Sequence, residues 1–326
     1  EVIEAFAWFR DAMPEGTDLS RLQVHGSDAR RFLRTSPVRY DVVVSDNFHP
    51  ARSGSSTLYT PEHFAQVRGH LAAGGLFCQW LPLHQLDLQS LRSIIASFLT
   101  VFPQGAMLLA TNSLDTPTLG LVSRRDGEPL SLREVRGGLA AAPPKVLEDF
   151  DLRDEYAVLG SLVAGPGALR TFAAGAAPNT DDRPMVSFLA PQATYAATEA
   201  PRDRLLAVLG ALPEGLGAVV AAGGESRTLA RIEAYAAARH LYLASGRNVR
   251  PVADVRAMLA QVRAPLLAVL DLSPDFRPAY DPLLQMAAAL GAVDRQAARD
   301  LLAQLQAIQP QRLDAARQLD ELGPAR

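Results

Sequence analysis

The chain has 326 residues, with 32 Lys or Arg against 35 Asp or Glu and a formal charge of −3. Its 48% hydrophobic and 21% charged residues are those of a folded protein, not a disordered one, and the slight acidic excess argues against a nucleic-acid binder, which would carry a basic face. The single cysteine, Cys78, excludes an internal disulfide and suits a reducing compartment, while the longest apolar run, Leu205 to Ala222, is interrupted by Pro213 and Glu214 and falls short of a bilayer span.

Length predicts about two domains, and the chain reads as soluble and cytoplasmic. It opens on Glu1-Val2-Ile3-Glu4-Ala5-Phe6, a mid-helix pattern with no signal peptide, so it is expected to be cut from something longer. Val2, Phe6 and Phe9 fall at helical spacing up to Pro14-Glu15-Gly16. Leu22 to His25 reads as a short strand, Asp28 to Leu33 as a short helix, and Tyr40 to Asp46 as a buried, β-branched strand that ends on a carboxylate. Thr60-Pro61-Glu62 caps a helix that runs to Leu71 and stops at Gly74-Gly75. Leu76 to Trp80 is the next strand and Asp87 to Phe102 the next helix; Ala106 to Thr111 and Thr118 to Val122 are an antiparallel strand pair. The order describes the second half of an open α/β sheet.

Residues 123–194 are punctuated by Gly and Pro, with short helices between, a turn at Asn179 to Pro184 and a final strand at Met185 to Leu189. From about Tyr195 the composition turns to Ala, Leu, Arg and Gln. Val255, Leu259, Val262 and Leu266 share one helical face, and so do Leu301, Leu305 and Ile308. Breaks at Gly246, at Leu272-Ser273-Pro274 and at Gly291 predict helical hairpins of tetratricopeptide-like character. The expected division is an α/β domain over 1–194 and a helical-hairpin domain over 195–326.

Asp46 is the first candidate for chemistry, because ligands of open α/β sheets bind outside the carboxyl ends of the strands. Asp28, in Gly26-Ser27-Asp28-Ala29, either accepts a hydrogen bond from an adenine amino group or caps the helix that follows. Arg52-Ser53-Gly54-Ser55-Ser56 lacks phosphate-loop spacing and reads as a flexible lid. His25, His49, His63, His70 and His84 lack metal-ligand spacing; His63 and His70, seven apart on one helix, read as surface residues, and no metal is expected. Cys78 reads as a buried, inert thiol.

The runs Tyr40 to Pro50, Leu58 to Phe64 and Gly74 to Trp80 resemble the spermidine synthases, polyamine aminopropyltransferases on a Rossmann-like class I methyltransferase fold. Asn179 to Pro184 and the helical tail look most like the bacterial fused type, in which membrane helices precede the synthase domain. The resemblance implies transfer of an aminopropyl group from decarboxylated S-adenosylmethionine, a co-substrate with no further cofactor, to a diamine such as putrescine, releasing methylthioadenosine. It implies Asp46 as catalytic acid, Asp28 and Ala29 at the adenine, and Gln79 at the amine. Tyr59 matches the aromatic that opens the next helix, where packing is expected more than catalysis.

The chain also departs from the pattern. His49 stands where the family has a second Asp, and the loop Asn112 to Thr116 lacks the family's Tyr, leaving Asp115 to supply a charge near the amine. The Gly-rich loop and the ribose-binding acid are expected upstream of Glu1, so the Rossmann-like fold is incomplete at its start and the chain alone should bind nucleoside poorly. Two other readings stand beside this one. The fold could serve an S-adenosylmethionine-dependent methyltransferase, or the domain could be degenerate, with a helical tail that binds a partner protein. A homodimer is common in the family, and a fused relative would place the chain on the cytoplasmic side of an inner membrane.

Overall fold

The computed structural model describes residues 19–20, 22–46, 49–212, 216–217 and 219–323. The helix expected over Val2 to Phe9 and the residues Asn47, Phe48, Pro213 and Glu214 lie outside them.

Helix α1 (Ala29–Thr35) precedes strand β1 (Tyr40–Ser45); α2 (Pro61–His70), β2 (Leu71–Pro82), α3 (Leu88–Val101), β3 (Ala106–Leu109) and β4 (Thr118–Arg124) follow. After a short strand β5 (Leu130–Ser131) come α4 (Leu132–Ala141), α5 (Pro144–Asp149), α6 (Glu155–Leu159), β6 (Leu162–Ala164) and α7 (Pro166–Phe172). The main sheet has the order β1-β2-β4-β3-β6. β1 runs parallel to β2, whereas β4 is antiparallel to both β2 and β3, and β6 is antiparallel to β3. The result is a mixed sheet of the α/β class.

Local chemistry explains the elements. Asp28, Thr60 and Asp87 cap α1, α2 and α3 by accepting from the backbone N–H groups of Arg31, His63 and Ser90, which satisfies donors that a helix start leaves open. On α3, Leu91, Ile94, Ile95 and Phe98 recur at helical spacing and are all buried. Phe98 packs against Phe64, Phe77 and Phe102, at ring separations of 5.1–6.2 Å, so one aromatic knot joins α2, α3 and β2.

Several expectations are corrected. β2 does not begin at Leu76 but at Leu71, and Gly74-Gly75 sit inside it. Gly74 adopts φ +70°, and a Cβ on Gly75 would come within 3.0 Å of the Tyr40 carbonyl oxygen; the pair forms an irregularity in the β1–β2 register, not a stop. Leu22 to His25 form no strand, and Leu22 and Val24 are half exposed with no strand beside them among the described residues. Met185 to Leu189 are helical: α8 runs Met185–Tyr195. Val186, Ala190 and Ala193 are its buried residues, at helical rather than alternating spacing.

Beyond α8 lie α9 (Pro201–Ala211), the short strand β7 (Val220–Ala221), which pairs with β5, and α10 (Ser226–Gly246). Then come α11 (Val255–Leu272), α12 (Arg277–Leu290), α13 (Arg295–Ile308) and α14 (Leu313–Leu322). Each helix from α10 onward packs on the next. Phe276, Tyr280, Leu283, Leu301, Leu302 and Leu305 are fully buried in their shared core. Leu205, Val208, Leu209 and Leu243, on α9 and α10, belong instead to the core beneath the sheet. No described helix is long and apolar enough to cross a membrane.

Candidate active site

β1 ends at Ser45, and Asp46 follows as an exposed residue at the carboxyl end of the strand. Ser45 lies opposite Gln79 of β2 in the parallel register, so strand pairing alone brings these two predicted positions together. Gln79 is fully buried. Its Nε2 donates to the Trp80 carbonyl at 3.0 Å and to the Ser45 carbonyl at 3.4 Å, while Oε1 has no hydrogen-bond partner among the described residues. A buried amide oxygen without a donor is costly in a folded chain.

β1 is an edge of the sheet, pairing with β2 alone among the described residues. Val42 and Val44 are 56% and 57% exposed, contrary to the expected buried strand. A groove of about 500 Å³ runs along that edge and is lined by Ala29, Phe32, Val42, Val44, Ser45 and His63. Ala29 thus shares a groove with the end of β1. The Asp28 side chain is engaged as the helix cap, with Oδ1 2.8 Å from the Arg31 nitrogen.

The other candidates disperse. Tyr59 is fully buried in the core beneath the sheet, where its ring does packing. His49 stacks on Tyr195 of α8 with ring centroids 5.9 Å apart, and its Nδ1 has no hydrogen-bond partner among the described residues. Asp115 pairs with Arg202 of α9 at 3.1 Å. The expected lid at Arg52 to Ser56 folds into a 3-10 turn over Ser55–Tyr59, and Ser56 Oγ lies 2.5 Å from Ser187 Oγ of α8. The histidines are not all surface residues. His63 is buried, and desolvation, helped by the charge of Arg30, lowers its pKa to about 4; at neutral pH the groove wall there is an uncharged imidazole. His70 is held between the Gln66 and Ser36 carbonyls. Cys78 is buried in β2, and desolvation pushes its thiol up to about 12.

Two residues that sequence reasoning treated only as parts of a turn organise this region. Asn179 is fully buried. Its Nδ2 donates to the Ser56 carbonyl at 2.9 Å and the Tyr59 carbonyl at 3.2 Å, and Oδ1 accepts from the Val186 nitrogen at 3.1 Å. Asp181 accepts two bonds from Arg30 of α1, at 2.5 and 2.8 Å, and one from Thr60 Oγ1 at 3.0 Å. The Arg30 guanidinium holds the Asp181 carboxyl below its usual value. Together they tie α1, the 55–59 turn, α2 and α8 into one frame beside the end of β1.

Residues 1–119 match the spermine/spermidine synthase domain. Among curated proteins the chain is similar to polyamine aminopropyltransferase 2 of Bacillus cereus, 43% identical over 61 residues, and to polyamine aminopropyltransferase 2 of Bacillus anthracis, 41% identical over 61 residues. Each alignment covers 18% of this chain and 17% of the relative, so the match spans about one sixth of either relative's length. No solved structure matches. The likeness to the spermidine synthase family thus lies in the first third of the chain, the segment that contains β1, α2 and β2.

Proposed function

We propose that the chain serves polyamine biosynthesis as an aminopropyltransferase built on a Rossmann-like domain, with Asp46 as its general base. The observation that carries this reading is the position of Asp46 at the carboxyl end of β1, one residue past the Ser45–Gln79 pair. A primary amine has a pKa of about 10 and arrives protonated. A carboxylate attracts that cation and takes one proton, which frees the nitrogen lone pair before the amine attacks. The nitrogen lone pair forms a new C–N bond to the aminopropyl carbon of decarboxylated S-adenosylmethionine. The C–S bond breaks and its electron pair neutralises the sulfonium, so the leaving methylthioadenosine needs no proton. What remains is in-line alignment in the cleft.

Ala29 and the groove along β1 are the surface offered to the nucleoside. His49 on Tyr195 replaces a second anionic anchor, which favours amines that rely on one ammonium contact near Asp46. The successive helices from α10 to α14 form a tetratricopeptide-like stack suited to a protein partner.

The test is incubation of the full-length gene product with decarboxylated S-adenosylmethionine and a panel of diamines, read by mass spectrometry. Methylthioadenosine together with an aminopropylated amine is expected. Neither product from a folded protein, with methyl transfer from S-adenosylmethionine in its place, would overturn the proposal.

A further inference from the structure

Helix α10 carries a charge where its pattern calls for an apolar residue. Its buried face is Ile232, Tyr235, Ala238, Arg239 and Leu243, and Arg239 is only 7% exposed. A buried guanidinium is expensive unless an anion answers it. Here Nη1 donates to two neutral acceptors, the Leu109 carbonyl at 3.2 Å and the Gly160 carbonyl at 3.4 Å. Nε is enclosed by the protein and has no hydrogen-bond partner among the described residues. Among the described residues no ion pair or hydrogen bond reaches Nε or Nη2.

Arg239 lines a cavity of about 350 Å³ between α9, α10 and β6, within the size range of small-molecule sites. Leu162, Leu209, Leu212 and Leu216 supply an aliphatic wall, and the other polar groups at the cavity are Glu233 and His240, on the same helix. Nη2 carries no bond among the described residues, and its N–H groups can donate to a carboxylate oxygen in a charge-assisted hydrogen bond. Charge selects among anions. Glu233 at the same cavity repels a doubly charged phosphate more than a singly charged carboxylate.

We propose that this cavity is a binding site for a small organic monocarboxylate, its head paired with Arg239 and its short apolar body against the leucine wall. The site is separate from Asp46. Leu109 and Leu81 both pair with Leu119, so Arg239 anchors at the same edge of the sheet as the end of β2, but two strands further from β1. A ligand there would bridge the sheet to α10 and so hold the helical tail against it.

The test is calorimetric titration of the full chain with hexanoate, with hexanamide and inorganic phosphate as controls. Saturable hexanoate binding is expected, with hexanamide and phosphate each at least about tenfold weaker, because each lacks either the charge or the charge match. Arg239→Gln should weaken hexanoate by at least about tenfold. Ala236→Phe, which fills the cavity and leaves the guanidinium in place, should do the same, and it decides the matter if the Arg239 variant fails to fold. The proposal falls if wild-type protein does not bind hexanoate saturably, if hexanamide or phosphate binds as well, or if a folded Ala236→Phe protein keeps wild-type affinity. A guanidinium that only ties the ends of β3 and β6 together would give the first of these results.

Discussion

Asn179→Ala is the sharpest perturbation of the frame around the strand ends. The residue is fully buried, and its side chain makes three hydrogen bonds to backbone groups of Ser56, Tyr59 and Val186. Alanine deletes all three and strands two carbonyls and one N–H away from water. Leaving a buried polar group unsatisfied costs about 1–3 kcal/mol. With relaxation and the second lone pairs of the carbonyls, the sum is about 3–5 kcal/mol, a large share of the roughly 5–15 kcal/mol that holds a typical domain. Asn179→Asp keeps the acceptor for Val186 but turns a carboxylate toward two carbonyls, so its loss should be at least as large. Urea denaturation followed by circular dichroism measures both, as a lowered midpoint at unchanged slope. If both variants unfold within about 1 kcal/mol of wild type, the hydrogen-bond reasoning is refuted.

Asp46→Asn should lower aminopropyl transfer by about 10²–10⁴ while the protein stays folded, because proton transfer to a positioned base contributes that much; a wild-type rate removes Asp46 from the mechanism. His63 has a folded pKa of about 4 against an ordinary 6.5, so between those values the unfolded chain binds the extra proton. Stability from this residue is therefore present above pH 6.5 and lost as pH falls toward 4, by about 3 kcal/mol in all. His63→Gln should flatten the stability profile across that window, and a profile as steep as wild type would show that burial of His63 is not its source. Cys78, buried with its thiol pushed up to about 12, should react with a thiol-specific disulfide reagent far more slowly in native protein than in urea; rapid stoichiometric labelling of native protein would contradict its burial.

Where a local rule decides an element, the reading and the structure agree. The β-branched run Tyr40 to Ser45 is a strand, Thr60 caps the helix it precedes, and Asp28 takes the capping one of its two readings. The failures have equally specific causes. Met185 to Leu189 is a short apolar run, which periodicity alone cannot assign to strand or helix. Asn179 and Val186 bond in the fold, and a helix start held by a side chain seven residues earlier shows no capping signature. Leu22 and Val24 alternate like a strand but have no strand beside them among the described residues, and Gly74-Gly75 reads as a stop although the positive φ of Gly74 and the close approach of the Tyr40 and Ala72 carbonyls to Gly75 explain the pair.

The candidate site divides the same way. Asp46 at a strand end and Gln79 near the end of the next strand are legible in order and spacing, because strand direction and the family-like motifs are local properties of the chain. The environment of each group is not. That Gln79 Oε1 lacks a donor among the described residues, that His63 is uncharged at neutral pH and that Asp181 answers Arg30 across 151 positions follow from which surfaces meet. Arg239 is the clearest case: its place on α10 follows from helical periodicity, but only the packing of α10 against β3 and β6 takes its charge out of water, with no ion pair or hydrogen bond to a carboxylate among the described residues. Sequence determined the elements and the chemistry they carry. Tertiary structure decided which of those groups were desolvated, because burial is a property of the assembled surfaces and not of any one segment.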